Sequence, residues 1–323
     1  MDDAVDGALL PPNASPPPVA ASASASVSID AVDAVDAARI AAACAGGRIG
    51  VAVRWHERVG STMDAAAAWA AAGAPDGAVV VADEQTAGRG RHGRAWLAPP
   101  GSALMLSIVL RPVTAPGRVH QAVMAVALGA VEAVERIVRD GLVEAGVRSA
   151  DAAVVGLKWP NDLVVVQHVG DDEQTADAKL AGLLAETVWG ADGRPVVIVG
   201  LGLNVHQPAG DLPGGATSLR LLRPAGAAPI DRTALATTLL AAADRHYADL
   251  LAGIDLVPRW AARVTTIGRT VTVREAVTGD VVVDGVAERV ADDGALVVRA
   301  AGGGAVTVRA GDVTLRAVVG GDD

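Results

Sequence analysis

Apolar residues recur along the chain with helical spacing in some stretches and as strand-like runs in others. The first helical pattern ends at a Gly-Gly pair and predicts a short helix near 30–45. The stretch "STMDAAAAWAAAG" predicts a second helix, with Ser61 as its N-cap, Asp64 at the capping-box position and Gly73 at its end. The folded part of the chain therefore begins with short helices and strands in alternation.

Longer helical patterns follow further along the chain. We expect an amphipathic helix over about 117–140, another over about 231–252 and a shorter one that ends near Trp260. The strand-like runs are "VAVRWHE" (51–57), "GAVVVADEQ", "SALMLSIVLRP", "GLKWPNDLVVV", "LAGLLAETVW" and "PVVIVGLGLNV". Helices and strands mixed in this way predict an α+β domain.

The two ends of the chain differ from the middle. The first residues are rich in Pro, Ala and Ser and carry few large apolar side chains, which predicts a disordered tail over 1–37. After about residue 265, short β-branched runs separated by Gly and Asp-Gly turns predict a small antiparallel barrel. The predicted organisation is a tail (1–37), a catalytic domain (38–264) and a C-terminal β domain (265–323).

Composition narrows the class of protein. The chain has 323 residues, 51% of them hydrophobic, and a formal net charge of −10, which argues against general nucleic-acid binding. Its single cysteine, Cys44, excludes an internal disulfide framework and a multi-cysteine metal site, and favours a reducing, cytoplasmic compartment. The acidic N-terminus is unlike a signal peptide, and no apolar run approaches the length of a membrane span.

Positive charge gathers in one place, the segment "EQTAGRGRHGRAW" (84–96). A disordered RNA-binding segment, a solvated loop and an anion-binding loop are all compatible with Arg and Gly in this pattern. Because two strand patterns bracket the segment, a loop that wraps a small anion is favoured. It is neither a Walker A loop nor a dinucleotide-binding fingerprint, since no Gly-Lys-Ser/Thr follows and it does not open a helix.

Lysine and asparagine are rare in this chain, and the few that occur in its folded part lie together in short motifs. The only lysines are Lys158 and Lys179, and the asparagines beyond the tail are Asn161 and Asn204. They fall in "KWPNDL" (158–163), "KLAGLLAE" (179–186) and "GLGLNV" (200–205). In that order, the three motifs could form a turn, the beginning of a strand and a tight turn at the end of a strand. They could equally supply phosphate-binding ammonium groups, an amide for a base and, at Asp162, a Mg²⁺ ligand or a turn-fixing carboxylate.

In this order, and with the strand–"ST"–helix pattern upstream, the four motifs resemble those of biotin protein ligases over about residues 50–317. The resemblance implies a mixed-sheet, class II synthetase-like catalytic domain with helices, followed by a small SH3-like β-barrel. It also implies a single-function ligase, because nothing before residue 50 looks able to form a helix-turn-helix module. Lipoate ligases share the fold and the adenylation logic, but the Arg-Gly loop together with "KWPNDL" favours biotin.

The resemblance implies a reaction in two steps. Biotin's carboxylate attacks the α-phosphate of ATP to give biotinyl-5′-AMP, and a lysine of a biotin carboxyl carrier domain then attacks this anhydride. Two anions must be brought together, so arginines, a lysine and Mg²⁺ would act by charge and positioning. No protein nucleophile is needed, which leaves Cys44 without a role. The implied partner is the carrier domain, and a homodimer is compatible with the resemblance, whereas neither nucleic acid nor a membrane is expected.

The resemblance also assigns roles to residues. The catalytic residues would be Lys179, which is poised near the biotin carboxylate and the α-phosphate, and Arg91. The biotin site would consist of Ser61, Thr62, Met63, Gln85, Arg89, Gly90, Arg91, Lys179 and Gly182. The ATP site would consist of Arg94, Trp96, Lys158, Asn161 and Asn204. Asp162 would lie near Mg²⁺.

Three features depart from the family pattern. Met63 stands where asparagine is usual after "ST", so a side-chain contact with the ligand would be lost there, whereas a backbone contact would survive. The connection over 167–178 is long and acidic, with Asp171, Asp172 and Glu173 at its tip, which predicts a solvated turn. His92 stands where arginine is common and softens the charge of the loop.

Overall fold

The computed structural model describes residues 34–144, 154–168, 175–190, 193–224 and 226–315. Most of the predicted tail and the tip of the acidic connection lie outside these residues. At the start of the described region Val35 is buried in the apolar core, and Asp36 caps the first helix, α1 (Ala37–Ala43). The packed region therefore includes residues ahead of position 38.

Four further helices follow: α2 (Thr62–Ala71), α3 (Gln121–Glu144), α4 (Arg232–Leu251) and α5 (Val257–Ala261). Ser61 caps α2 by accepting a hydrogen bond from the backbone of Met63, as its sequence pattern predicts. Helix α3 begins about four residues later than predicted, because a short 3-10 turn occupies Pro116–Arg118.

The larger sheet has seven strands, in the spatial order β1-β2-β3-β7-β6-β5-β4. Only β1 and β2 pair in parallel, and all other neighbours are antiparallel. The strands are β1 (Val53–Val59), β2 (Ala78–Gln85), β3 (Ala103–Leu110), β4 (Val154–Lys158), β5 (Asp162–His168), β6 (Thr175–Trp189) and β7 (Pro195–Asn204).

The stretch "GLKWPNDLVVV" forms two strands, and a turn that contains the cis Trp159–Pro160 bond separates β4 from β5, in line with the turn considered for "KWPNDL". One detail of this sheet corrects a sequence-based expectation. Strand β6 begins at Thr175, so Lys179 lies within the strand and not in front of it. The acidic connection is thus shorter than the predicted 167–178.

Alternating side chains divide the core between the two faces of the large sheet. Val79 and Val81 belong to the main apolar cluster, which also takes in side chains of α3 and α4. Ala78 and Val80 belong to a smaller cluster under α2. The helices therefore cover both faces, and the sheet between them supports the residues described below.

An ion pair is buried where β2 meets α4. The guanidinium of Arg232, whose side chain is 1% exposed, lies 2.7 Å from Asp83 Oδ1. Trp55 Nε1 donates to the other oxygen of Asp83 at 2.8 Å, and Arg232 also donates to the Ala103 carbonyl at 3.2 Å. Such a pair is tolerated in the interior because the two charges face each other and each group also takes part in a hydrogen bond.

The C-terminal residues form an antiparallel sheet of five strands, in the order β11-β10-β9-β8-β12. Its strands are β8 (Thr270–Arg274), β9 (Val281–Val290), β10 (Leu296–Ala300), β11 (Ala305–Val308) and β12 (Asp312–Leu315). Backbone hydrogen bonds between Leu157 of β4 and residues Arg263 and Thr265 tie the segment before β8 to the edge of the large sheet.

The architecture is thus a mixed α+β fold with a large mixed sheet and a C-terminal antiparallel sheet, as expected in class. Within the described ranges, the helices are too short or too polar to cross a lipid bilayer.

Candidate active site

A cavity of about 370 Å³ opens over the central strands β6 and β7. Its walls come from the start of α2, the Arg-Gly segment, the β4–β5 turn and strand β12 of the C-terminal sheet. Nearly all of the residues singled out in the sequence line it: Ser61, Thr62, Met63, Gln85, Arg89, Gly90, Arg91, Arg94, Trp96, Lys158, Asn161, Asp162, Lys179 and Gly182. The fold therefore brings together motifs that lie far apart in the chain.

Glycines form the floor of this cavity. A Cβ atom placed on Gly202 would lie 2.3 Å from the ring of Trp96, and one on Gly200 would lie 2.8 Å from the side chain of Met63. A Cβ on Gly182 would meet Trp96 at 3.3 Å and Lys179 Nζ at 3.4 Å. Trp96 and Met63 can lie flat against the sheet only because these strand positions carry no side chain.

This arrangement shows that the glycines of "GLGLNV" do not form a strand-end turn. Gly200 and Gly202 lie within β7, two residues apart, and so point to the same face of the sheet. Their part in the cavity was not predicted, although the two-residue spacing of glycines inside a strand pattern was a usable signal.

A bulge in β6 turns Lys179 toward the cavity. Val164 pairs with Lys179 while Leu163 pairs with Ala181, so Leu180 is the additional residue. Strict alternation would place Lys179 and Gly182 on opposite faces, yet both line the cavity, whereas Leu180 and Ala181 are fully buried. The irregularity is what places the ammonium beside the glycine floor.

Lys179 forms an ion pair with Asp162. Its Nζ lies 2.7 Å from Asp162 Oδ1 and 5.9 Å from the centre of the Trp96 ring. Asp162 starts β5 directly after the cis-proline turn, so the turn fixes where the carboxylate stands. The lysine is thereby held between a carboxylate and an aromatic face.

Around Thr62 the wall of the cavity consists of uncharged, hydrogen-bonded groups. Gln85 Oε1 accepts from the Thr62 backbone at 2.8 Å and from the Thr62 hydroxyl at 3.0 Å. Ser107 on β3, a residue that sequence analysis did not single out, donates to the Thr62 hydroxyl at 2.9 Å. These bonds fix the polar groups before any ligand arrives, and they suit a neutral polar ligand group.

The Arg-Gly segment is a pinched loop over the cavity. Its ends are held by the hydrogen bond from Gly90 N to Arg94 O at 2.7 Å and by that from Trp96 N to Gly88 O at 2.9 Å. His92 at its tip adopts a positive φ of 56°. The segment is an ordered cover, which does not fit a disordered RNA-binding tail.

The three arginines of the loop have different partners. Arg89 contacts Asp64 of α2 at 2.8 Å and Glu186 of β6 at 3.1 Å, so two carboxylates already surround it. Arg91 donates to Asn161 Oδ1 at 3.0 Å. Arg94 pairs with Asp312 of the C-terminal sheet.

Positive charge gathers on the β5–β6 side of the cavity, where Arg91 contacts Asn161 and Lys179 contacts Asp162. Arg94 and Lys158 also line the cavity. Burial lowers the pKa of Arg91 from its ordinary value, while Asp312 and Asp162 counter that effect. A guanidinium stays protonated in proteins, so the effect of burial is to strengthen the field that Arg91 presents to an anion.

Asn204 is the one predicted site residue that the fold keeps away from the cavity lining. Its side chain is buried, donates to the Thr217 carbonyl at 3.0 Å and accepts from Gln207 Nε2 at 3.1 Å. In this arrangement Asn204 braces the chain after β7. Conversely, Asp312, Val313 and Thr314 line the cavity without any motif that could have marked them.

No set of three or more His, Cys, Asp or Glu side chains converges on a possible metal position within the described residues. Cys44 lies in the core away from the cavity, and burial raises the pKa of its thiol. An uncharged buried thiol is a poor nucleophile.

Comparisons with known proteins place these features in a family. The profile of the Biotin/lipoate A/B protein ligase family matches residues 55–204. The chain is 35% identical to the Biotin--[acetyl-CoA-carboxylase] ligase of Mycobacterium tuberculosis, with 82% of this chain and 91% of that protein covered.

A protein of the same name from Paracoccus denitrificans is 30% identical, with 72% of this chain and 88% of that protein covered. Among solved structures, the biotin protein ligase from Aquifex aeolicus in complex with biotin and ATP has the same fold. It has a TM-score of 0.62 at 24% identity, and the match covers 82% of this chain and 99% of that one. The chain therefore belongs to the Biotin/lipoate A/B protein ligase family.

Proposed function

We propose that this chain is an ATP-dependent biotin protein ligase. It activates biotin to biotinyl-5′-AMP with release of pyrophosphate and then transfers biotin to a lysine of a biotin carboxyl carrier domain. The observation that carries the proposal is the division of one cavity into an uncharged hydrogen-bonding end and a cationic end, under an ordered loop. Biotin has a neutral ring system and an acidic tail, and ATP carries a polyphosphate. The uncharged end suits the ring system, and the cationic end suits the carboxylate and the phosphates.

In the first step, two anions must approach each other. The biotin carboxylate attacks the α-phosphorus, the bond to the β-phosphate breaks, and pyrophosphate leaves with the electron pair. Arg91, Arg94, Lys158 and Lys179 neutralise the charge of both reactants, and the walls hold them in line. The walls supply the electrostatic stabilisation from fixed positions, with no covalent intermediate on the protein.

Ser61, Thr62 and Gln85 bind the ureido ring of biotin, and Gly182 lets the biotin tail pass close to the sheet. The Met63 side chain covers Gly200, so it contributes an apolar surface to the biotin site in place of the amide usual in the family. Trp96 covers the adenine, and Asn161 contacts the nucleotide. Asn204 affects the site indirectly, because its side chain holds the segment after β7 in place.

Arg89 closes the loop rather than binding the carboxylate of biotin. Its guanidinium already has two carboxylate neighbours from two different elements, Asp64 and Glu186. A third carboxylate would add repulsion, whereas Arg91 and Lys179 have capacity for it. This assignment changes the role expected for Arg89 from the family resemblance.

Mg²⁺ enters the site with ATP. Magnesium in nucleotide sites commonly takes one or two protein carboxylates and completes its coordination with phosphates and water. Asp162 lines the cavity beside Lys179, and it would share its charge between Lys179 and the metal. The residues present therefore fit a metal carried by the substrate better than a metal held by the protein.

At the level of architecture, we assign the large sheet to the class II synthetase-like type and the C-terminal sheet to an SH3-like barrel. Domain limits of 38–264 and 265–323 follow from the same assignment.

We further place the enzyme in the cytoplasm, where carrier domains of carboxylases are its substrates, and we propose that it acts as a homodimer. Sedimentation with and without biotin and ATP tests the last point.

The direct test is mass spectrometry of a purified carrier domain after incubation with this protein, biotin and MgATP. We expect one biotinyl group on the carrier, none on a carrier whose target lysine is replaced by arginine, and none without ATP. An unmodified carrier that a known biotin ligase does modify would overturn the proposal.

Lipoate is the competing substrate within the family. A thermal shift with biotin plus ATP, and none with lipoate plus ATP, is the expected result. The reverse pattern would make the chain a lipoate ligase. A nucleic-acid-binding function would require salt-dependent binding that falls when Arg89, Arg91 and Arg94 are changed to alanine.

A further inference from the structure

The backbone of Lys179 is held by a segment that lies outside the strands of the large sheet. Lys179 N donates to the Gly215 carbonyl at 2.8 Å, and the Lys179 carbonyl accepts from Thr217 N at 2.8 Å. Pairing between β6 and β7 begins at Ala181, so β7 does not reach Lys179. Residues 215–217, here called the bridging segment, take the place of β7 beside the bulge and form a short parallel bridge with Lys179.

Two amide side chains fix the bridging segment. Asn204 Nδ2 donates to the Thr217 carbonyl at 3.0 Å, and Gln207 Nε2 donates to Asn204 Oδ1 at 3.1 Å. Gln207 Oε1 accepts from the Val205 backbone at 2.9 Å, which determines that the NH₂ group of this amide faces Asn204. The hydrogen bonds therefore run in one direction, from Gln207 through Asn204 and Thr217 to the carbonyl of Lys179.

This chain of hydrogen bonds lies in the protein interior. Gln207 is 1% exposed and Asn204 is 5% exposed, and the hydroxyl of the buried Ser218 donates to the Gln207 carbonyl at 2.7 Å. Loss of one member leaves a buried partner without a hydrogen bond, so the neighbouring groups must move to find another. Because the last member is the carbonyl of Lys179, that movement reaches the lysine.

The side chain of Lys179 has little tolerance for such movement. Its Nζ lies 2.7 Å from Asp162 Oδ1, so a backbone shift of about one ångström would break the ion pair and change the distance to a bound anion. Gln207 does not belong to the lining of the cavity. Any effect of Gln207 on a reaction in the cavity must therefore pass through other residues.

We infer that Gln207 is a positioning residue for Lys179. Through Asn204 and the bridging segment, it holds the bulged backbone of Lys179 where the ammonium group meets both Asp162 and the reacting anions. The kinetic part of this inference rests on the proposed ligase reaction, whereas the placement of the lysine does not.

The Gln207→Met variant keeps the length of the side chain and removes both of its hydrogen bonds. We expect kcat for adenylation to fall about tenfold or more, with KM for biotin and for ATP unchanged. Gln121→Met is the matched control, because Gln121 is equally buried and also uses both ends of its amide, with Asp255 and Leu256. It should lower the melting temperature to a similar extent and leave kcat unchanged. Equal kcat values in the two variants, or a change in KM alone, would overturn the inference.

A double-mutant cycle tests whether Gln207 acts through Lys179. In the Lys179→Ala background no ammonium group remains to be positioned, so adding Gln207→Met should not lower the residual rate further. An amide that only supports the fold would lower the rate by the same factor in both backgrounds, and that result would contradict the inference.

Spectroscopy tests the placement of the lysine without any substrate. The chain contains only two lysines, so lysine labelled with ¹³C at Cε gives two signals, and Lys158→Arg assigns them. In Gln207→Met the Lys179 signal should move, because its Nζ lies 5.9 Å from the centre of the Trp96 ring, whose ring current shifts nearby protons. The Lys158 signal should stay in place. An unmoved Lys179 signal would show that Gln207 does not position this residue.

The two kinds of measurement separate the inference from the proposed function. A parent chain that does not adenylate biotin would refute the proposed function, and the lysine spectra would still decide the placement of Lys179. A parent chain that is active, with an unchanged kcat in Gln207→Met, would refute the inference alone.

A change in the bridging segment tests the same contact without altering the core. Gly215 has a positive φ of 76°, so alanine is strained there, although its Cβ would meet nothing within 4 Å. Gly214→Ala is the matched control, since that position is equally open and is not recorded with a positive φ. We expect the Lys179 signal to move in Gly215→Ala and to stay in place in Gly214→Ala. Identical spectra of the two variants would show that the bridging segment does not position the lysine.

Discussion

Lys179 of β6 and Asp162 of β5 form an ion pair at 2.7 Å, although the strand register does not place them opposite each other. Asp162 pairs with Gly182, and Lys179 reaches it because the bulge at Leu180 rotates the strand. The only lysine of β6 is therefore positioned by an irregularity of the sheet, and its removal should be felt more in chemistry than in stability.

The Lys179→Ala variant should lose adenylation by about 10²–10³-fold, as expected when one preorganised charge that faces a reacting group is removed. Its melting temperature should stay near that of the parent, since the side chain is 40% exposed. Pyrophosphate release measures the first effect. Lys179→Arg should also be poor, because a planar guanidinium does not replace a compact ammonium. Near-normal adenylation in Lys179→Ala would remove this residue from the reaction.

The Asp162→Asn variant separates two roles of one carboxylate. If Asp162 mainly positions Lys179, the rate should fall while the Mg²⁺ concentration for half-maximal rate stays the same, and this is the result we expect from the ion pair. A rate that recovers at high Mg²⁺ would instead identify Asp162 as a metal ligand. Initial rates across a Mg²⁺ series decide between them.

The Gly202→Ala variant should have a higher KM for ATP than the parent protein. The added methyl group would lie 2.3 Å from the Trp96 ring, so the ring must leave the sheet. We expect KM for ATP to rise about tenfold or more, since displacing a positioning group by an ångström has effects of that order or greater. Gly210→Ala, where a Cβ meets nothing within 4 Å, is the matched control and should behave like the parent. Similar KM values in the two variants would disprove the stacking role.

Loosening the clamp on Arg89 should speed the escape of bound ligand. Exposed ion pairs contribute at most about 1 kcal/mol each, so Asp64→Asn combined with Glu186→Gln should raise the dissociation rate of biotinyl-AMP by about fivefold or somewhat more. Stopped-flow release measures it. Glu84→Gln breaks another exposed pair, with Arg58 at 3.0 Å, and should change nothing. A slower release in the double variant would contradict the clamp.

The stability of the fold should depend on the buried ion pair between Arg232 and Asp83 and not on an exposed ion pair such as that between Arg39 and Asp231. Arg232→Met leaves Asp83 charged and buried, which should cost about 3–5 kcal/mol in the free energy of unfolding. Arg39→Met breaks the exposed pair with Asp231 and should cost no more than about 1 kcal/mol. Urea denaturation compares the two, and equal losses would show that burial does not set the difference.

Much of the site was predictable because its residues stand in short motifs with unusual residue types. Lys158, Asn161 and Lys179 stood out in a chain poor in lysine and asparagine, and all three line the cavity. Elements with strong periodicity, such as α4, were also placed within a residue or two. Local sequence is informative where local interactions decide the structure.

The remaining features depend on contacts between distant segments. The bulge in β6 arises from pairing with β5, which no local pattern reveals, and Lys179 was therefore expected in front of the strand. Asp312 reaches the cavity only because the C-terminal sheet docks beside the loop, and Arg89 has partners from α2 and β6. Asn204 looked like a ligand residue by its motif, yet its amide is bonded within the protein.

The walls of the cavity run from Ser61 near the start of the folded region to Thr314 in the last strand described. A chain that has lost either end of this span has no complete site, so the binding of biotin and ATP that we propose requires the fully assembled protein. By mass action they must then raise the folded fraction of the whole chain. The substrates would act as folding aids for their own enzyme, and a destabilised variant should recover in cells that are supplied with biotin.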